Sequence, residues 1–296
     1  MSAQSKHIGI WGNTEKPFFW KLLPDIAAWA AQRELKIFLT TRIVAKAEDK
    51  IGFDYNIIES ADDFKQLDFL MSLGGDGTLL ALARAVGDRK TPILGIHLGE
   101  LGFLAEVTTA DMFEKLDRVV SEDCEILERM VLECTVQNVD EPQIFHALND
   151  ITIDRGSSHR LINCKLTANG HHVARYKADG LIISTPTGST AYSLSAGGPI
   201  VMPTLDAMVI TPICPHTLSL RPIVMPDDKI IEITFPDNQA GGLALAVDGQ
   251  VQESLELDAK VTIRKASYKT RMVIFSDSNY FDVLSRKMGW GRRGDS

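Results

Sequence analysis

The first third of the chain alternates short apolar runs with segments of helical periodicity. The helical segments, over 22–33 and 78–86, repeat apolar residues every three or four positions. Alternating strands and helices are typical of a parallel sheet with helices packed on its faces. A further helix is predicted over 112–120, started by Thr109 or Asp111. The apolar runs predicted to form strands are 8–11, 36–39, 69–73 and 93–96.

The pattern changes after about residue 125. One helix is predicted around 191–196 and another at 280–290, and the remaining elements are strands separated by turn residues. We therefore expect a Rossmann-like α/β domain over 1–124 and an all-β domain over 125–270. A tail, 271–296, is expected to pack back on the first domain. The predicted strands of the second domain are 131–136, 151–153, 161–167, 172–176, 230–235 and 261–263.

Composition and charge exclude several classes of protein. Of 296 residues, 45% are hydrophobic and 24% charged, as in a globular protein with a large core. The net charge of −8 argues against a general nucleic-acid binder, which needs a basic surface. No apolar run reaches membrane-spanning length and no signal region precedes the first strand. We expect a soluble cytoplasmic protein that binds neither nucleic acid nor membrane.

The four cysteines point to the same compartment. Cys124, Cys134, Cys164 and Cys214 show no C-x-x-C spacing. We expect them to be small buried hydrophobic side chains in a reducing environment.

A first glycine-rich loop, 74–78, follows directly on the apolar run 69–73. A strand that feeds a glycine turn and a helix directs backbone N–H groups toward an anion, usually a phosphate. This loop also carries a carboxylate, Asp76. At the end of a strand it could accept a proton from an attacking hydroxyl, as aspartate does in phosphoryl transfer. The alternative is a turn aspartate that bonds its own backbone.

A second glycine-rich stretch spans 179–199 and also predicts a strand, a turn and a helix. Just before it, Asn169-Gly170 signals a type I′ hairpin turn. Counting outward from this turn places Arg160 opposite Asp179 and Ile162 opposite Lys177. With period-two alternation, Arg160, Lys177 and Asp179 share one face. We expect them to contact a ligand; the alternative is a solvated ion pair worth well under ~1 kcal/mol.

Several familiar motifs are absent. The chain has no G-x-x-x-x-G-K-[ST] phosphate loop and no G-x-G-x-x-G after its first strand. Its seven histidines show no metal-ligand spacing, so no protein-held metal site is predicted. The serines of the second stretch lack the context of a serine hydrolase.

Taken together, the ordered motifs closely resemble those of the bacterial ATP-dependent NAD kinases, from the first strand almost to the end of the chain. The Gly-Gly-Asp-Gly loop alone is shared with phosphofructokinases and with diacylglycerol and sphingosine kinases, whereas the second stretch together with Asn149-Asp150 is specific. The motifs are, in order, Gly74-Gly75-Asp76-Gly77, 98–104, Asn149-Asp150, 179–199, 215–219 and Asp248-Gly249-Gln250.

The resemblance implies transfer of the γ-phosphoryl group of ATP to the 2′-hydroxyl of the adenosine ribose of NAD, which gives NADP. It implies Asp76 as the general base and Gly74, Gly75 and Thr78 as the phosphate loop. It also implies a C-terminal β-sandwich, magnesium or another divalent cation bound with ATP, and a homodimer or homotetramer. The implied NAD-binding residues are Gly77, Phe103, Asn149, Asp150, Arg160, Lys177, Asp179, Thr190, Ala191, Tyr192, Ser193, Leu194, Ser195 and Gln250.

Two alternatives remain open from the residues alone. A lipid or sugar kinase would share the first loop, but a lipid kinase should also show an apolar lipid slot or membrane patch. A non-catalytic NADP sensor would keep the pocket and lose the chemistry, against which the intact Asp76 argues. The sequence leaves open whether NADH or polyphosphate is also used.

Overall fold

The computed structural model of the protein describes residues 6–48, 50–99, 102–137, 141–236 and 242–290. The chain divides into two compact units. The described parts of Met1–Glu128 and Arg271–Ser296 form the first unit, and those of Arg129–Thr270 form the second. Of the expected tail, 291–296 lies outside the described residues.

The first unit is built on a parallel sheet whose strands follow the order β3-β2-β1-β4-β5. A short β6 extends the sheet beside β5. Two 3₁₀ turns, Ala61–Gln66 and Gly87–Arg89, complete the connections. The elements are β1 (His7–Gly12), α1 (Pro17–Ala31), β2 (Lys36–Thr40), α2 (Thr41–Ala47), β3 (Asn56–Ile58), β4 (Phe69–Gly74), α3 (Asp76–Val86), β5 (Ile93–His97), β6 (Val107–Thr108) and α4 (Met112–Val120).

Local sequence explains these elements. Every residue of β4 is buried, as in a central parallel strand covered on both faces. Pro17 occupies the first turn of α1, where its missing N–H costs nothing. The Thr40 hydroxyl caps α2 by accepting from the Ile43 amide at 3.4 Å. The sequence pattern missed α2 and β3 because both are short and lack a full period of apolar residues.

The second unit consists of antiparallel strands, with one helical turn and one four-residue helix. Its 3₁₀ turn is Thr187–Thr190. The elements are β7 (Glu125–Gln137), β8 (Gln143–Ala147), β9 (Asp150–Asp154), β10 (Ile162–Ala168), β11 (His171–Ala178), β12 (Gly180–Ser184), α5 (Tyr192–Ser195), β13 (Ala207–Ile213), β14 (Ile223–Pro226), β15 (Ile231–Thr234), β16 (Leu243–Val247), β17 (Val251–Leu255) and β18 (Lys260–Ile274). Of these strands, β7 begins in the first unit and β18 ends there.

These strands form two layers around one core. Six strands follow the order β14-β13-β12-β9-β16-β17, and β11-β10-β15-β18 form another set that β7 and β8 extend. A single buried cluster takes side chains from both layers, for example Ile151 and Leu181 from the first and Leu166 and Ile233 from the second. The expected sandwich-like second domain is confirmed. The sequence pattern missed β8, β13, β14, β16 and β17.

The hairpin of β10 and β11 forms at the predicted turn but in a different register. Asn169 and Gly170 both have positive φ, +47° and +77°, as a type I′ turn requires. Thr167 pairs with His172 and Leu166 with Ala174, so one extra residue lies in β11. A β-bulge of this kind shifts every later pair by one position.

The predicted pairing beyond the bulge is therefore wrong. Asn163, not Ile162, lies opposite Lys177, and Ile162 lies opposite Ala178. Arg160 precedes the start of β10 and does not pair with Asp179. Lys177 is exposed and Ala178 buried, which agrees with alternation along β11.

The chain ends in the first unit. Met272, near the end of β18, pairs with Ile93 of β5, and Val273 and Phe275 join the core of the first unit. The final helix, α6 (Tyr280–Met288), is capped by the Asn279 side chain, which accepts from the Phe281 amide at 3.0 Å.

The cysteines only partly match expectation. All four are free thiols; Cys134 and Cys164 are buried, and burial raises the pKa of each to about 12. Cys124 is half-buried. Cys214 is exposed because it lies in the loop after β13.

No helix among the described residues has the length and apolar character needed to cross a membrane.

Candidate functional site

The first glycine loop joins β4 to α3, as the sequence predicts. Gly74 ends β4, Gly75 is the N-cap with extended backbone, and Asp76 opens the helix. A Cβ on Gly74 would lie 2.2 Å from Thr78 Oγ1, so a side chain there would collide. Because the loop forms the N-terminus of α3, it lies at the positive end of the helix dipole, which favours a bound phosphate.

The Asp76 carboxylate is held by a second loop, which follows β5. Its Oδ2 accepts from the Phe103 amide at 2.8 Å, and its Oδ1 accepts from the Leu104 and Ala105 amides at 3.1 and 3.3 Å. A Cβ on Gly102 would lie only 1.9 Å from Oδ1, so glycine is what permits this approach. Asp76 thus binds a distant loop rather than the backbone of its own turn.

These bonds leave the carboxylate with a defined open position. A carboxylate has about four acceptor positions, two on each oxygen. Among the described residues, Oδ1 uses two and Oδ2 uses one. The remaining position, on Oδ2, is the one at which Asp76 can accept a hydroxyl proton.

His97 is a neighbour of this loop that the sequence interpretation did not include. It ends β5, where it pairs with Gly74, and it is 7% exposed. Its Nδ1 donates to the Gly99 carbonyl at 2.7 Å, while its buried Nε2 has no protein partner among the described residues. The only signal in the sequence was a histidine at the carboxyl end of an apolar run.

The second glycine-rich stretch lies in the second unit and is packed against Asn149. The Thr185 hydroxyl donates to the Leu148 carbonyl at 2.6 Å, and the Thr185 amide donates to the Asn149 carbonyl at 2.9 Å. A Cβ on Gly188 would lie 2.1 Å from that same carbonyl oxygen. The structure therefore brings together Asn149 and the 3₁₀ turn that follows β12, two segments far apart in sequence.

Asp248 fixes the Asn149-Asp150 pair from the other side. Its carboxylate accepts from the amides of Leu148, Asn149 and Asp150 at 3.1, 2.8 and 3.2 Å. Asp248 has a φ of +51° in the turn between β16 and β17, which also carries Gln250. The Asp-Gly dipeptide of this turn was the available sequence signal.

The side chains of the pair are buried. Asn149 Oδ1 is buried without a protein partner among the described residues, so it is available to a ligand. Asp150 is 4% exposed, and burial, with the nearby charge of Asp248, raises its pKa to about 7. Its polar neighbour is Thr152, whose hydroxyl lies 3.5 Å from Asp150 Oδ1.

The segment Thr190–Ser195 divides into exposed and buried positions. Tyr192 is 47% exposed, and partial burial raises the pKa of its hydroxyl. The Ser193 hydroxyl is fully buried and lies 2.8 Å from that of Thr211. Thr190, Ala191 and Leu194 are half-buried and Ser195 is exposed.

Asp179 is paired with an arginine that the sequence interpretation did not select. Arg155 Nε lies 3.1 Å from Asp179 Oδ1, and Arg155 Nη1 donates to the Ser158 carbonyl at 3.1 Å. The Arg160 amide donates to Ser158 Oγ at 3.1 Å, so both arginines are tied to the same short loop. Arg155 follows directly on β9, which pairs with β12, and this pairing could not be foreseen from spacing.

Two family models match the chain. Residues 8–124 match the ATP-NAD kinase N-terminal domain, and residues 148–275 match the ATP-NAD kinase C-terminal domain. The NAD kinase of Syntrophotalea carbinolica is 39% identical over 293 residues, covering 97% of this chain and 100% of the relative. That of Geotalea daltonii is 40% identical over 290 residues, with the same coverage. The chain belongs to the NAD kinase family.

Solved NAD kinase structures share its fold. A yeast NADH kinase in complex with NADH matches with a TM-score of 0.89 and 27% identity, over 99% of this chain and 90% of the other. An NAD kinase from Archaeoglobus fulgidus in complex with ATP matches with a TM-score of 0.75 and 25% identity, over 96% and 98%.

Family membership also weighs against the alternatives. A lipid or sugar kinase would share only the first loop, whereas both NAD kinase domains match here.

Among the described residues, no group of three or more His, Cys, Asp or Glu side chains is arranged to hold a metal ion.

Proposed function

We propose that this NAD kinase transfers the γ-phosphoryl group of ATP to the 2′-hydroxyl of the adenosine ribose of NAD, which yields NADP. The observation that carries this proposal is the Asp76 carboxylate, held by three amides at a phosphate-binding loop. Phosphoryl transfer requires alignment and charge stabilisation more than covalent chemistry, and a rigid carboxylate suits that requirement.

In this proposal Asp76 is the general base. Its Oδ2 accepts the hydroxyl proton as the ribose oxygen attacks the γ-phosphorus. The new P–O bond forms while the bond to the leaving oxygen of ADP breaks. The Phe103, Leu104 and Ala105 amides keep the carboxylate in one orientation throughout.

For the phosphate donor, Gly74, Gly75 and Thr78 are proposed as the phosphate loop. The position of this loop at the N-terminus of α3 supports the assignment. Gly77 and Phe103 are proposed as NAD contacts of the first unit.

The residues of the second unit that we propose to contact NAD are those that the family resemblance implies. The unpartnered Asn149 Oδ1 and the exposed ring of Tyr192 support this set, because one supplies an acceptor and the other a stacking surface. The set comprises Asn149, Asp150, Arg160, Lys177, Asp179, Thr190, Ala191, Tyr192, Ser193, Leu194, Ser195 and Gln250.

We propose that magnesium or another divalent cation arrives bound to ATP. Among the described residues, Asp76 of the first loop and Glu15 beside it are already engaged, Asp76 by amides and Glu15 by Lys46. This arrangement fits a cation held by the phosphates of ATP. When bound, the cation neutralises charge on the transferring phosphoryl group.

We also propose a cytoplasmic homodimer or homotetramer. The four free cysteines support a reducing compartment. Exposed apolar side chains support association, for example Leu218 at 89% and Val224 at 50% exposure. Light scattering on the purified protein measures the oligomeric state directly.

A coupled assay that pairs NAD or NADH with ATP or polyphosphate tests the activity. We expect NADP to form from NAD and ATP in the presence of magnesium. A protein that binds NADP but turns over none of the four pairs would be the non-catalytic sensor instead.

A further inference from the structure

His97 lies where the loop that holds Asp76 leaves the sheet and returns to it. It is the last residue of β5, and it pairs with Gly74 of β4 on one side and with Thr108 of β6 on the other. The next amide along the chain, that of Leu98, donates to the Gly74 carbonyl at 2.9 Å. His97 is therefore at the base of the loop after β5 and beside the first glycine loop.

The His97 side chain lies on the face of the sheet that α3 covers. Side chains alternate along a strand, so His97 shares a face with Gly95, two residues earlier. A Cβ on Gly95 would lie 2.7 Å from Leu79 Cδ1 of α3 and 2.8 Å from Ala105 Cα of the loop. The imidazole is buried at the end of this face where α3 begins. Asp76, the first residue of α3, is held at that same end.

The two ring nitrogens of His97 have different surroundings. The Gly99 carbonyl can only accept a hydrogen bond, so Nδ1, which lies 2.7 Å from it, carries the proton. Nε2 is buried and has no protein partner among the described residues. A buried polar atom without a partner costs stability, and an apolar side chain of similar size would avoid that cost. The donor on Nδ1 therefore explains this histidine better than packing does.

We propose that His97 is a positioning residue for the phosphoryl transfer, because its Nδ1–H holds the Gly99 carbonyl and fixes the direction in which the loop leaves β5. The inference rests on the proposed function and adds a residue that does not itself touch the reacting atoms. Three residues after Gly99, the loop passes Asp76 so closely that a Cβ on Gly102 would lie 1.9 Å from Oδ1. A small change in the direction of the loop would displace the three amides that hold the carboxylate.

Loss of this bond should affect the chemical step more than the binding of either substrate. Misplacing a reacting group by about 1 Å can cost about 10²-fold in rate. We expect His97→Gln to lower kcat about tenfold to a hundredfold, because its amide reaches the place of Nε2 and leaves the Gly99 carbonyl without its donor. The KM values for NAD and ATP should change by less than about threefold, because the contacts to the bound substrates remain.

His97→Asn is the variant that should rescue activity. Asparagine places its N–H₂ group where Nδ1 was, so the donor to Gly99 returns although Nε2 is lost. We expect kcat within about threefold of the wild-type value. His7→Gln is the matched control, because His7 Nδ1 also lies near a backbone carbonyl, that of Gln66, at 3.1 Å. His7 starts β1, at the opposite end of the sheet from Asp76, so this change should leave kcat and both KM values unaltered.

Two measurements on the full chain do not depend on turnover. Histidine ¹⁵N chemical shifts of the wild type should show the His97 proton on Nδ1. Hydrogen exchange of the Phe103–Ala105 amides should be at least about fivefold faster in His97→Gln and unchanged in His97→Asn and His7→Gln. If exchange followed this pattern but the wild type phosphorylated no NAD, the kinase proposal would fail and the positioning role would stand.

Circular dichroism and thermal unfolding establish that each variant is folded. Wild-type kcat in His97→Gln, or an equal loss of kcat in His97→Gln and His97→Asn, would overturn the role of the Nδ1 donor. A His97 proton found on Nε2 alone would overturn it too. If His97→Gln did not fold, His97→Asn would decide, because a folded His97→Asn protein with low kcat or fast exchange contradicts the proposal.

Discussion

The Arg155 guanidinium lies 3.1 Å from the Asp179 carboxylate, and the same side chain donates to the Ser158 carbonyl. Arg155 therefore links the residue that begins the second glycine-rich stretch to the loop between β9 and β10. Both partners are about one third exposed, so the pair adds little to stability. Its consequence is orientation, because the ion pair directs the Asp179 carboxylate toward Arg155.

We expect Arg155→Ala to raise KM for NAD several-fold while kcat changes less. The reason is that Asp179 must then be ordered by the ligand itself, which costs side-chain entropy. Steady-state kinetics with NAD as the varied substrate measures this split. Arg155→Lys should recover part of the effect, because it keeps the charge but loses the second donor. An unchanged KM in Arg155→Ala would show that Asp179 needs no positioning.

Asp248→Ala should loosen the Asn149-Asp150 pair. Three amides would lose their common acceptor, which costs about 1–3 kcal/mol of the free energy of unfolding. We expect a lower urea midpoint and an affinity for NAD reduced by more than tenfold. Asp258→Ala, on an exposed turn, is the control. If calorimetry showed wild-type NAD affinity in a folded Asp248→Ala protein, this turn would have no part in the site.

Asp76→Asn should reduce kcat about 10²–10⁴-fold, as expected for loss of a general base. An asparagine also turns an N–H₂ group toward amides that need an acceptor, so part of the loop after β5 should loosen. Hydrogen exchange of the Phe103–Ala105 amides reports that loosening separately from turnover. Asp76→Glu keeps the charge and tests whether position matters. Wild-type kcat in Asp76→Asn would rule out the base.

We expect Asp150 to make the stability of the protein depend on pH. Its folded-state pKa is about 7, well above the usual value of 3.8, so the folded protein holds this proton more tightly than the unfolded chain. The resulting contribution is present in full below about pH 4 and is lost as the pH rises through 7. Asp150→Asn removes this loss, so it should be more stable than the wild type at pH 8, by on the order of 2–4 kcal/mol.

Urea unfolding of both proteins at pH 5, 6, 7 and 8 measures this difference. The gap between Asp150→Asn and the wild type should widen from pH 5 to pH 8. A gap that stays constant over this range would mean that Asp150 does not titrate there.

The sequence predicted most of the fold and the family to which the chain belongs. Apolar runs such as β4, helical periodicity in α3 and α4, and the Asn169-Gly170 turn are local signals, and each appears where expected. The glycine turn after β4 was also predicted, and the structure gives a reason for Gly74, where a Cβ would collide with Thr78. The membership of the NAD kinase family followed from ordered motifs that the comparison of whole chains confirmed.

Other features depended on residues brought together from far apart. The bulge in β11 moved Lys177 by one position, because strand register depends on how many residues face each other rather than on their types. Asp76 meets the Phe103 loop and Asp248 meets Asn149 only through the packing of separate strands. Composition and periodicity determined which elements form and what chemistry the motifs contain. Only the tertiary structure decided which groups each side chain contacts. These contacts come from long-range pairing of segments, which no local pattern encodes.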